Sequence, residues 1–300
     1  MNSLQDWARE RAELAQGAAA AVVAVEDAKG RSLGGIVWDG TTVVTAAEGL
    51  ARGAVRIRTA TGDVEGEVAA ADRATDVAIL RLPATAASGL GGARHGDSAA
   101  LQTGQPVLLA ARDDSGPLVL WTDLLRVGPA WRSSQGGEIA RSIHLATRIH
   151  GRFEGAGLFD VGGRLCAMVV PGPRRRGLGI PVETIAGVVA RVAQHGYLPQ
   201  PYLGVRLQPV WIDESQAAAI GRGRGPAVIV TGVESDSPAH RAGLVLGDFI
   251  LALGAKEVGR PAAIAREIGA AAIGSQINFE VLRAGSRQRI AVAVGEQPRA

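Results

Sequence analysis

Cysteine is nearly absent from this 300-residue chain. Cys166 stands alone, so no intramolecular disulfide can form, and its place in the apolar run Arg164–Val170 suits a core residue rather than a nucleophile. Lysine is almost as scarce, with only Lys29 and Lys256; arginine supplies the other cations and the net charge is just +3. Apart from Arg174-Arg175-Arg176 the arginines are scattered, which excludes a nucleic-acid footprint. That triplet reads as a solvated loop, with an acidic partner as the lesser alternative. Aromatic residues make up 4%, too few for the stacking platforms of a sugar hydrolase. No apolar run approaches membrane-spanning length. The N-terminus starts polar and charged, and its first apolar run, residues 17–25, arrives late. It lacks the basic start and small-residue cleavage site of a signal peptide, so the expected compartment is cytoplasmic, or periplasmic if the N-terminus is trimmed.

What is present describes a folded, β-rich protein. The chain is 47% hydrophobic and 20% charged, with 41 Gly and 14 Pro punctuating short Val/Ile/Leu runs. Residues 4–16 carry Leu4, Trp7, Ala8, Ala12 and Leu14 among charges, an amphipathic helix. Strands are expected over 20–25, 34–38, 42–46, 55–59, 64–70 and 76–82. A Gly- and Ala-rich connection, 83–104, forms the seam to a second strand set at 106–111, 118–127, 139–149, 164–170 and 178–180. Residues 182–195 show helical spacing, and Gly196 with Pro199-Gln200-Pro201 ends that helix.

A different unit follows. Strands are expected over 202–207, 227–233, 248–253, 276–282 and 287–294, with helices over 213–220, 237–242 and 261–269. Ser237 is the N-cap of the second of these helices and Pro238 its first residue. The mixture is that of a compact α+β module. The resulting division is an N-terminal helical segment (1–16), a double-barrel domain (17–195), a linker (196–201) and the α+β domain (202–297).

Between the strands around 139–149 and 164–170 lies a Gly-punctuated loop, residues 150–160. A hydrolase of the chymotrypsin type presents its nucleophile on such a turn, with backbone amides free to bind the oxyanion. The segments Gly34–Gly40, Thr45-Ala46-Ala47-Glu48, Asp72–Leu80, Gly96-Asp97-Ser98 and Gly179-Ile180-Pro181 together resemble the HtrA/DegP serine proteases. The unit from Tyr202 resembles that family's PDZ domain, through Tyr202-Leu203-Gly204-Val205, Ser237-Pro238-Ala239, Arg241–Leu244 and Gly247-Asp248. The likeness runs in order from about residue 17 to 296. It implies a mainly β fold, a chymotrypsin-like double β-barrel followed by an α+β PDZ domain.

The same resemblance implies a degenerate active site. The family's catalytic His falls on Glu48, its Asp on Asp76 and its Ser on Glu154. Arg152, Phe153 and Gly155 occupy the oxyanion loop. The first His in the chain, His95, lies beyond the first barrel; His144 and His150 flank the loop on the second, and His195 and His240 are farther away. Without base and nucleophile, serine proteolysis is expected to be lost, leaving a pseudoprotease that acts as a peptide-binding regulator, adaptor or chaperone-like partner. Three converging carboxylates repel one another, which raises a pKa or invites a cation, either as a metal site or as a hydrolase of another kind. The favoured expectation is that they splay into solvent or that Arg148 or Arg152 neutralises them, with no metal and no cofactor bound. The PDZ-like unit is expected to bind polypeptide C-termini at its 202–205 loop, with Leu203, Val205, Leu207, Ile264 and Ile268 lining the pocket. An active HtrA-like protease and further copies of this chain, as a trimer built through the N-terminal segment, are the other expected partners.

Overall fold

The computed structural model describes residues 4–27, 29–51, 53–87, 90–214, 217 and 224–298. The chain divides into two compact units, residues 1–131 with 138–198, and residues 132–137 with 199–300.

The first unit holds two closed six-stranded barrels. In the first, β1 (Val22–Glu26), β2 (Ser32–Val37), β3 (Thr42–Ala46), β4 (Gly53–Arg58), β5 (Asp63–Asp72) and β6 (Val77–Arg81) close in the order β1-β2-β3-β6-β5-β4. The second barrel uses β7 (Pro106–Asp113) and β8 (Gly116–Gly128); a two-stranded ribbon, β9 (Trp131–Arg132) with β10 (Glu138–Ile139), follows. It is completed by β11 (Ser142–Arg148), β12 (Ala156–Phe159), β13 (Leu165–Pro171) and β14 (Arg176–Pro181) in the order β11-β14-β13-β12-β7-β8. Closure leaves no unpaired strand edge, which suits a chain with so many short Val/Ile/Leu segments.

Each barrel has its own apolar interior, around Val23, Ile57 and Leu80 in the first and Leu109, Leu145 and Val169 in the second. A third cluster lies between them, where Ile36 and Val44 meet Leu108, Phe159 and Met168, and the helix Val182–His195 adds Ile185, Val188 and Val192. Removing this apolar area from water holds the barrels in fixed register. Asp72 on β5 ties to Arg191 of that helix at 3.1 Å. Ser98 donates its hydroxyl to Glu183 at 2.6 Å.

Several expected elements come out differently. Residues 156–159 are a strand and not loop: Ala156, Gly157, Leu158 and Phe159 are buried, all four pair with β13 and the last three also with β7, and only tertiary pairing makes so short a segment extended. The 83–104 connection contains a helical turn at Ala84–Ala87 and a 3-10 turn at Ser98–Ala100, and His95 bridges Leu165. The expected 139–149 strand is broken at Ala140-Arg141. The N-terminal helix runs on to Ala19 because Ala18 is packed into the inter-barrel core. Leu4 and Trp7, read as its apolar face, are exposed, and Arg11 lies over the rings of both Trp7 and Trp121.

The second unit is a five-stranded antiparallel path, β16 (Val205–Ile212), β17 (Gly225–Val233), β18 (Phe249–Leu253), β20 (Gln276–Arg283) and β21 (Ser286–Ala293). Short β19 (Lys256–Glu257) pairs with β18, and β15 (Pro201–Tyr202) pairs with β22 (Gly295–Glu296). Helices Pro238–Arg241 and Pro261–Ala270 pack on it through Ala239 and Ile264. The expected continuous 202–207 strand is interrupted at Leu203-Gly204, because Gly204 has φ +76 and leaves the extended region. The expected 213–220 helix lies largely outside the described residues.

Candidate functional site

The first barrel brings Glu48 and Asp76 together through strand register. Ala46 on β3 faces Val77 on β6, so the residues just past one strand and just before the other meet. Asp76 sits at φ +57, a left-handed conformation that Asp tolerates better than most residues. There its Oδ1 accepts hydrogen bonds from the amides of Ala47 and Glu48, both at 2.9 Å.

The second barrel supplies Glu154, and two glycines set its position. Gly155 has φ +84, and a Cβ there would lie 2.2 Å from the Gly34 carbonyl oxygen and 2.8 Å from Thr45 Oγ1. A Cβ on Gly34 would lie 2.8 Å from the Ala156 nitrogen. Backbone thus presses directly on backbone. Gly34 donates its N–H to the Glu154 carbonyl at 2.7 Å, and Thr45 donates its hydroxyl to the Gly34 carbonyl at 2.7 Å.

The charges of Glu48, Asp76 and Glu154 act on one another. Asp76 is pushed up to about 6, first by burial and then by Glu48 and Glu154, against the lowering effect of its two amide bonds. Glu154, only 5% exposed, is also pushed above its ordinary value, by burial first and then by Glu48. Arg31 and Arg175 oppose that rise. The expected neutralising residues were therefore the wrong ones. Arg152 pairs with buried Asp113 at 2.8 Å, while Arg31 is held for the purpose by Asp27 at 2.7 Å. Burial raises Asp27, but bonds from Arg31 and Lys29 outweigh it and hold the carboxylate below its ordinary value. No sequence pattern marks Arg31 or Asp27, since they reach the site only through barrel closure. Among the described residues no group of three or more His, Cys, Asp or Glu is placed to hold a metal ion.

The loop around Glu154 spends its own amides. Residues 151–153 form a 3-10 turn in which Phe153 N–H donates to the His150 carbonyl at 3.0 Å and Glu154 N–H to the Gly151 carbonyl at 2.9 Å. Gly155 N–H donates to Val169 at 2.8 Å. An oxyanion hole needs such donors unoccupied and convergent.

The histidines are engaged elsewhere. His95 stacks on Trp38 at 3.9 Å, His144 shares a hydrogen bond with Ser142, His195 lies edge-on to Tyr197, and His240 accepts from the Asp236 amide. His150 is exposed ahead of the 3-10 turn, and among the described residues no hydrogen bond joins a histidine to Asp76. Cys166 is buried, and its thiol is pushed up to about 11 by that burial, which keeps it protonated and unreactive.

In the second unit the 202–205 loop turns its carbonyls inward. The Leu203 carbonyl accepts from Ala239 N–H and the Gly204 carbonyl from Glu234 N–H, both at 2.9 Å. Among the described residues nothing takes up the Leu203 and Gly204 amides. A Cβ on Gly204 would lie 2.3 Å from Ser237 Cβ, so the turn requires glycine. Tyr202 donates its hydroxyl to Glu234, a residue without a sequence signal, and this bond, with some burial, raises the phenol. Strand β16 is the sheet's edge; Val205 and Leu207 are partly buried and alternate with exposed Arg206 and Gln208. Leu203 and Ile264 are fully buried in the same core, and Ile268 packs against it.

Comparison with known proteins matches this architecture in order. Residues 34–168 match the trypsin-like peptidase domain and residues 201–294 the PDZ domain. The chain is HtrA/DegP-like. It is 25% identical over 247 residues to "Probable periplasmic serine endoprotease DegP-like" of Halomonas elongata, covering 79% of this chain and 50% of the relative. It is 27% identical over 288 residues to "Protease Do-like 1, chloroplastic" of Arabidopsis thaliana, covering 88% and 63%. The chain thus spans about half to two-thirds of the length of these relatives. Among solved structures, "HtrA-type protease AlgW with decapeptide" superposes with a TM-score of 0.64 at 21% identity, covering 96% of this chain and 99% of that one. The serine endoprotease from Yersinia pestis gives 0.62 at 18%, covering 96% and 98%. The relatives' names place them in periplasm and chloroplast, which lends the cytoplasmic expectation no support. No described helix is long and apolar enough to cross a membrane.

Proposed function

We propose that this HtrA/DegP-like chain is a catalytically inactive pseudoprotease whose PDZ domain captures polypeptide C-termini, serving as a regulator, adaptor or chaperone-like partner. The observation that carries the reading is the state of the nucleophile turn. Glu154 stands where the family resemblance puts the hydroxyl, its amide is bonded to Gly151, and among the described residues no histidine is hydrogen-bonded to Asp76. A carboxylate there repels an approaching oxyanion, and the missing base leaves nothing to activate a nucleophile. In the PDZ domain the free amides at Leu203 and Gly204 suit a terminal carboxylate, and the edge of β16 accepts an added strand.

The test is fluorophosphonate labelling together with degradation of unfolded casein, with and without divalent cations. No labelling and no turnover are expected. Robust turnover that Glu154→Gln abolishes would overturn the reading. It would favour a second one, a hydrolase working through Glu48, Asp76 and Glu154, for which the upward shift of Asp76 to about 6 is the supporting observation. A trimer, an active HtrA-like partner and a periplasmic location extend the proposal, following the family resemblance and the relatives' names. Cell fractionation and co-purification check them.

A further inference from the structure

The end of the second barrel farthest along β11 and β14 concentrates positive charge. Arg148 and Arg176 are direct partners in the antiparallel β11/β14 ladder, so their side chains project from the same face. Like charges placed opposite each other work against the pairing. Arg174 and Arg175 complete the turn into β14, both left-handed at φ +56 and +59, and all four arginines are exposed. The turn is fixed: Ile149 N–H donates to the Arg175 carbonyl at 2.8 Å, and Gly172 N–H to that of Arg176 at 2.7 Å. Among the described residues no ion pair or side-chain hydrogen bond holds any of the four guanidinium groups. Arg175 also lies near enough to buried Glu154 to act on its carboxylate. Elsewhere on the same barrel the exposed Arg152 and Arg164 are paired, with Asp113 and Asp160.

We propose that Arg148, Arg174, Arg175 and Arg176 form a docking surface for an acidic segment of a partner polypeptide. Guanidinium groups bind carboxylates bidentately, and a rigid turn presents them without further ordering. Nucleic acid is a poorer fit, because residues 144–153 and 172–178 contain no Trp or Tyr for base stacking and Phe153 packs into the barrel core. A lipid surface is also a poorer fit. The large exposed apolar side chains, such as Leu125, Val161 and Leu246, all lie outside these two segments.

The test uses the full chain and a fluorescein-labelled oligoglutamate peptide amidated at its C-terminus, which gives a PDZ domain no carboxylate to capture. Saturable anisotropy binding that weakens steeply with salt is expected. The combined Arg174→Gln, Arg175→Gln, Arg176→Gln variant should lose at least about tenfold in affinity, while Arg289→Gln should match the wild type. Arg148→Gln should raise the melting temperature, because it removes the facing like charge. Equal binding by the triple variant, absence of saturable binding, or tighter binding of an oligothymidylate or a phosphatidylglycerol vesicle would each overturn the proposal. So would a melting temperature lowered by Arg148→Gln.

Discussion

At the scale of single residues, Asp76 and Glu154 set how the molecule responds to pH. Both carboxyls titrate above their ordinary values of 3.8 and 4.5, so the folded state holds their protons more tightly than the unfolded chain does. The stabilising contribution of Asp76 is complete below its ordinary value and is lost as pH rises through about 6, and that of Glu154 is lost in the same direction. Melting temperature should therefore fall between pH 4 and pH 7 by an amount that Asp76→Asn removes, on the order of 1–2 kcal/mol at neutral pH after solvent screening. A pH series of thermal melts on the two proteins checks this; parallel curves would refute it. Gly155 makes a second residue-scale case. Its left-handed backbone and the 2.2 Å clearance to Gly34 leave no room for a methyl group. Gly155→Ala should cost about 3 kcal/mol or more, measured by urea denaturation.

At the scale of elements, the 3-10 turn at Gly151–Phe153 bears directly on the proposed loss of catalysis. Restoring side chains alone, with Glu48→His and Glu154→Ser, leaves the Phe153, Glu154 and Gly155 amides bonded within the protein. The double variant is expected to remain unlabelled by fluorophosphonate; labelling would show that the turn reorganises around a serine. Strand β16 is the other decisive element. Its partly buried Val205 and Leu207 face the Pro261–Ala270 helix as an apolar lining. Leu207→Glu should weaken a C-terminal peptide by at least about tenfold without unfolding the domain, as read by anisotropy and circular dichroism. Most of these elements were legible in the chain, because periodicity and Gly/Pro punctuation are local. The strand Ala156–Phe159 was not: four residues carry no period, and pairing on both sides makes them extended.

At the scale of the whole molecule, two closed barrels and a PDZ domain fit a chain with one cysteine, many glycines and no long apolar run. Stability comes from burial in separate cores, so reducing agents should leave the melting temperature unchanged. The sequence by itself carried the order of the two domain types and, through the family resemblance, the expectation that Glu48 and Glu154 stand where base and nucleophile would be. Both readings rest on residue identity and local spacing. Only the tertiary structure decided that Arg31, braced by Asp27, and Arg175 act on Glu154, while Arg152 belongs to Asp113. It alone decided that the loop amides are spent, and that Arg148 faces Arg176 with no ion pair among the described residues. Each of these joins residues distant in the chain through barrel closure, strand register or backbone hydrogen bonding, and electrostatics depends on distance in space, which one-dimensional spacing does not carry.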